Sequence, residues 1–201
     1  MNKKIALIVA ICCFAIAPST YAQTSKSDKT TAKSKKYDKA LVNYQDFKTL
    51  VTEVEEHRKN RLISFDDFLK MSKENNVVIL DTRSDFRFKR KRLKGAIHLS
   101  FTDFTAENLR KLVPDTSTKI LIYCNNNFIG DQVDFASKLV APGPVKRNAK
   151  NEPLDKKPIM LALNIPTYIN LYGYGYKNIY ELDELVSVND KRVKFAGSQA
   201  N

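Results

Sequence analysis

Two short, unbroken apolar runs constrain the fold of this chain more than any other feature. They are Val77-Val78-Ile79-Leu80, closed by Asp81, and Ile120-Leu121-Ile122-Tyr123 after Lys119, closed by Cys124. Runs of this length without polar alternation are the pattern of strands covered on both faces, as in parallel sheets flanked by helices. Segments of helical period surround them. Phe47, Leu50, Val51 and Val54 recur at helical spacing and predict an amphipathic helix over about 44 to 59, with His57 near its end as a surface residue. Ser64 with Asp67 reads as an N-cap and acidic first turn of a helix running to about Met71. Gly95 to Leu99 suggests another short strand, Thr105 to Leu112 a helix stopped by Pro114, and Ile179 the start of the last strand. Strands alternating with helices predict an α/β fold, a single domain with a central parallel sheet.

The first 22 residues have a different logic. Lys3 and Lys4 precede an apolar run from Ile5 to Ala17, and Thr20-Tyr21-Ala22 ends in the small residue that signal peptidase accepts. The run falls short of the roughly 20 residues needed to span a bilayer, so a signal peptide over 1–22 is expected, with a periplasmic or secreted product and no transmembrane segment after cleavage. Cys12 and Cys13 lie in that run, which leaves Cys124 as the one cysteine of the mature chain. A chain this long can bury a core without disulfides, so the remaining thiol is either inert and buried or reactive. Its position at the carboxyl end of a strand, where open α/β sheets place their ligand crevices, favours a nucleophile.

The net charge is +12, and removing Lys3 and Lys4 leaves +10. Six lysines fall between residues 24 and 40 against Asp28 and Asp38, with almost no large apolar residue, so residues 23–43 are expected to be a disordered basic linker. Such a segment is a solubilising tether or a contact for an anionic envelope surface or an envelope protein. No nucleic-acid recognition motif accompanies the charge. The expected order is then a helical extension over 44–61, the α/β domain over 62–188 with a proline-rich, charged insertion at 141–158, and a tail over 189–201. An insertion of that length is a functional lid or a tolerated surface excursion. Tyr168, Tyr172, Tyr174, Tyr176 and Tyr180 read as packing around a helix that Gly173 or Gly175 ends, with one of them a candidate for the pocket lining. The basic run from Arg87 to Lys94 reads as a solvated face that would add positive potential if it bordered the crevice.

Four segments in order carry a resemblance: Val78-Ile79-Leu80-Asp81-Thr82-Arg83, Lys94-Gly95-Ala96-Ile97-His98, Ile120 to Cys124, and Gly175-Tyr176-Lys177-Asn178-Ile179-Tyr180-Glu181-Leu182. Together they resemble a rhodanese homology domain over about residues 62 to 186. The resemblance implies a rhodanese-like domain in which the cysteine heads a tight loop leading into a helix. It also implies a sulfurtransferase or persulfide carrier, whose thiolate takes sulfur from a small sulfur donor and passes it to a thiol acceptor, with no cofactor and no metal. By the same resemblance Cys124 is the catalytic residue, Asn125, Asn126, Asn127, Phe128, Ile129 and Gly130 form the active-site loop, and Asp81 with Arg83 supports it. Active members commonly carry a basic residue in this loop, and here it has none. Asp131 follows at once, with a charge that opposes a neighbouring thiolate, and Arg92 stands where a histidine is frequent. Phosphatases of this fold need an arginine closing the loop to clamp phosphate, and position 130 is glycine. The rival reading is a catalytically silent binding module of the same fold.

Overall fold

The computed structural model describes residues 37–137 and 162–200. The expected signal peptide, most of the expected basic linker and the 141–158 insertion lie outside the described residues. The chain divides into two units, residues 1–41 and 42–201. Within the first, residues 37–41 carry no regular secondary structure.

The second unit begins with α1 (Tyr44–Lys59), whose N-cap Asn43 accepts from the amides of Gln45 and Asp46. After β1 (Leu62–Ile63) comes α2 (Phe65–Met71), where the Ser64 hydroxyl accepts from the Asp67 amide, as the capping pattern predicts. Then follow β2 (Val77–Asp81), α3 (Asp85–Arg90), β3 (Arg92–Leu93), β4 (Ala96–His98), a 3-10 turn at Phe101–Asp103 and α4 (Ala106–Leu112). Thr105 caps α4, and Pro114 keeps the helix from continuing. The rest is β5 (Lys119–Tyr123), a 3-10 turn at Asn125–Asn127, β6 (Phe128–Ile129), α5 (Asn164–Gly173), β7 (Ile179–Leu182), β8 (Val186–Ser187) and β9 (Phe195–Ala196).

Five strands form one sheet in the order β1-β7-β5-β2-β4, and every pairing is parallel. The apolar runs sit at its centre because they alone can be covered on both faces. Ile120 and Ile122 pack with Val54, Leu109, Tyr168 and Leu171 on one side. Leu121 and Tyr123, alternating with them, pack with Phe65, Phe68, Leu93 and Phe128 on the other. The central position of β5 brings its carboxyl end, and hence Cys124, to the middle of the sheet edge.

Several sequence expectations are refined. His57 is half-buried and its Nδ1 meets the Tyr168 hydroxyl at 2.9 Å, so it joins α1 to α5 and is not a free surface residue. Of the apolar stripe on α1, Val54 is buried while Phe47 and Val51 remain exposed. The charged segment after Asp81 forms α3. Residues 189–200, read from sequence as a tail, are tied to the domain: β9 pairs antiparallel with β3, and Val193 is buried. Helix α5 ends at Gly173, and Gly175 then takes φ +95°, which reverses the chain toward β7.

Candidate active site

Asp81 ends β2 and is fully buried, so its charge requires partners. Arg83 supplies them. Its Nε donates to Asp81 Oδ1 at 3.0 Å and its Nη2 to Oδ2 at 2.7 Å. The remaining donors go to the Lys91 carbonyl at 2.7 Å, the Asp134 carbonyl at 3.1 Å and Asn125 Oδ1 at 3.3 Å. The Tyr123 hydroxyl also donates to Asp81, and burial followed by that carboxylate pushes the phenol well above its usual range. All five N–H groups of the Arg83 guanidinium are thereby engaged inside the protein. Arg83 holds the start of the loop in place and has no donor left for a ligand.

Cys124 lies one residue beyond β5 and is 1% exposed. Of the six residues after it, Asn125 turns its amide to the thiol while two others turn theirs back on the loop. The Asn127 and Phe128 amides donate back to the Cys124 and Asn125 carbonyls within the 3-10 turn. Asn127 is buried, and its side chain accepts from the Cys124 amide at 2.8 Å and donates to the Leu182 carbonyl at 2.7 Å. Asn125 is buried under Arg83, and Asn126 is half-buried. Phe128 enters the core and Ile129 points outward, because β6 pairs with β8. Gly130 takes φ +104°, a turn that a side chain would strain. No helix starts at Asp131 within the described residues 131–137, which corrects the expectation of a loop feeding directly into a helix.

A different helix reaches the thiol. Leu163, the N-cap of α5, donates its amide to Cys124 Sγ at 3.3 Å. Helix N-termini favour anions, so α5 favours the thiolate from across the site. Pro166, in the first turn of α5, was the sequence signal for that helix start. Burial is nevertheless the largest influence and pushes the thiol above its ordinary value; the Leu163 and Asn125 amides and then Arg83 oppose it. Asp131 does not act as the feared opposing charge. It bonds Lys91 at 3.1 Å, and although burial pushes its carboxyl up, the Asp134 amide and Lys91 hold it below the usual range.

Cys124 lines a cavity of about 350 Å³ at the carboxyl edge of the sheet. Thr82, Ser84, Ser100 and Thr102 give it hydroxyls, and Phe101, Ala136 and Leu163 give it apolar wall. Arg87 also lines it. Among the described residues Arg87 makes no ion pair, and its guanidinium stacks over Phe86 at 5.5 Å. Its neighbours in the basic run are committed elsewhere: Lys89 to Asp85, Arg90 to Asp134 and Lys91 to Asp131. The basic run thus borders the crevice through one side chain. None of the five tyrosines lines this cavity; Tyr168 and Tyr176 are core residues. The described residues contain no group of three or more His, Cys, Asp or Glu placed to hold a metal ion.

Residues 64–184 match the model of the rhodanese-like domain family. No curated protein matches the chain. A solved structure of the BH2092 protein from Bacillus halodurans is similar, with 13% sequence identity and a TM-score of 0.43, over 74% of this chain and 87% of that one.

Proposed function

The chain belongs to the rhodanese-like domain family, and from that premise we propose that it is an exported sulfurtransferase or persulfide carrier acting through Cys124. The observation that carries this reading is that Cys124 and Arg87, a guanidinium without an ion pair among the described residues, line the same cavity. A small anionic sulfur donor such as thiosulfate suits that pairing. Its oxygens meet Arg87 and the hydroxyls while its outer sulfur faces Sγ. The thiolate sulfur attacks the outer sulfur, forming the Cys–S–S bond as the S–SO₃ bond breaks with its electron pair leaving on sulfite. Starting from the thiol, the proton ends on the departing sulfite as bisulfite, so atoms and charge balance. A thiolate acceptor then attacks the outer sulfur of the persulfide and regenerates the Cys124 thiolate.

Burial raises the thiol pKa, so persulfide formation is expected to be slow near neutral pH and to quicken as pH rises, because only the thiolate attacks. Single-turnover persulfide formation against thiosulfate concentration tests the pairing. Saturation is expected in the wild type, with about a tenfold loss of apparent affinity in Arg87→Gln, the size of one exposed charge-assisted contact. A rate unaffected by Arg87→Gln would remove Arg87 from the site. The second reading, a silent binding module, is favoured by the same burial of Cys124 and by the Asn127 and Phe128 amides, which are committed to the loop's own carbonyls. It requires that no persulfide form on native protein at any pH at which the fold persists.

A further inference from the structure

A second cavity, of about 530 Å³, lies between α2, the middle of β2 and the segment leading into β9. It shares no lining residue with the Cys124 cavity. Its floor is apolar: Phe68 and Leu69 from α2, Ile79 from β2 and Leu93 from β3. Ser72 also faces it, but its hydroxyl already donates to the Leu69 carbonyl at 2.9 Å. The floor therefore offers a ligand no free hydroxyl donor, only the acceptor side of Ser72, which is little for a sugar or a base to use.

The rim has the opposite character. Lys73, Lys94, Arg192 and Lys194 line the cavity and are exposed, and no carboxylate among the described residues lines it. Arg192 is held by Asp190 at 2.7 Å and by Asp66. Lys194 Nζ donates to the Lys191 carbonyl at 3.0 Å, which leaves its charge unneutralised. Lys73 and Lys94 have no ion pair and no side-chain hydrogen bond among the described residues. Lysine stems lie along apolar surface while their ammonium groups stay in water, so three cations ring the mouth of a greasy floor. The volume falls within the roughly 300 to 1,000 Å³ of small-molecule sites.

We propose that this cavity binds a small amphipathic anion, an unbranched medium-chain carboxylate, with its chain on Phe68, Leu69, Ile79 and Leu93 and its carboxylate among Lys73, Lys94 and Lys194. The apolar floor selects the chain and the lysine rim selects the charge. Binding here is independent of Cys124 chemistry.

Calorimetric titration of the full chain with decanoate, kept below its micelle concentration, tests the assignment, with decyltrimethylammonium as the probe of equal chain and opposite charge. Saturable binding to one site is expected for decanoate, with the cation at least about tenfold weaker. Lys73→Glu/Lys94→Glu should weaken decanoate about tenfold, and Leu69→Trp should abolish binding by filling the floor, with thermal melting confirming that both variants fold. Cys124→Ser should bind as the wild type does. The proposal is overturned by equal binding of the two probes, by undiminished decanoate binding in both cavity variants, or by loss of binding in Cys124→Ser, which would put the ligand in the other cavity. It is also overturned if phosphatidylglycerol vesicles capture the protein while free decanoate does not bind, since that is attraction to a charged surface without use of the floor.

Discussion

A guanidinium as buried as that of Arg83 persists only where each N–H meets an acceptor, and here the acceptors come from Asp81, Lys91, Asn125 and Asp134. The residue therefore acts as a positioning group that fixes the chain on either side of Cys124. Arg83→Met should cost about 3 to 5 kcal/mol in urea unfolding, because it leaves the Asp81 carboxylate buried without its counter-ion. A cost under about 1 kcal/mol, typical of surface pairs, would contradict the assignment. The Asp-x-Arg spacing was legible in the sequence, but the saturation of the arginine was not, since two of its acceptors are backbone carbonyls. Cys124 makes a second prediction. Its folded-state pKa is raised by burial, so the fold favours the protonated thiol. That contribution to stability is fully present below the unfolded value near 8.5 and is lost as pH rises through the folded value. Wild-type stability should fall above about pH 8.5 more steeply than that of Cys124→Ser, whose hydroxyl does not titrate there. Parallel profiles from neutral to alkaline pH would mean that the thiol is not held in its neutral form.

At the scale of elements, α1 is held to the sheet as much by polar contacts as by its apolar stripe. Arg58 reaches Glu181 on β7 at 2.6 Å through Nε and at 2.7 Å through Nη2, and Glu181 is buried. Arg58→Ala should destabilise the domain by about 2 kcal/mol, less than for Arg83 because Arg58 is partly solvated. Chemical denaturation would show this, and a change within about 0.5 kcal/mol would mean that α1 docks through Val54, Leu50 and the His57–Tyr168 contact without help from the ion pair. Gly197 is a second pinning point. Its φ is +123°, and a Cβ there would stand 2.4 Å from the Arg90 carbonyl oxygen. Gly197→Ala should release β9 from β3, seen as lost amide-exchange protection at Lys94, whose N–H bonds the Lys194 carbonyl. Retained protection would show that the strand tolerates the side chain. The strands β2, β5 and β7 and the capped helix α2 were legible because period and capping are local signals. The pairs β6 with β8 and β3 with β9 are two residues long and depend on partners far along the chain, so no periodicity announces them. The donation from Leu163 to Cys124 spans 39 residues and was hidden for the same reason.

For the whole molecule, a central parallel sheet was legible in the sequence pattern, whereas its order β1-β7-β5-β2-β4 and the chemistry of its edge depend on which distant strands and charges pair with each other. The run from Arg87 to Lys94 reads uniformly basic, yet Asp85, Asp131 and Asp134 neutralise three of its members and leave Arg87 at the Cys124 cavity. The lysine-rich stretch between residues 24 and 40 lies within the basic linker expected from composition. If that stretch is only a tether, deleting residues 24–40 should leave the melting temperature and any persulfide formation unchanged. A drop of several degrees would assign it a packed role. The central claim, that Cys124 accepts sulfur in the cavity it shares with Arg87, is tested most directly by intact mass after incubating native protein with thiosulfate at mildly alkaline pH. A gain of one sulfur atom on the wild type, reversed by added thiol and absent from Cys124→Ser, is the predicted result. An unchanged wild-type mass, with the same protein remaining folded and a small-molecule thiol converted alongside it, would contradict the claim and leave a rhodanese-like fold that binds without transferring.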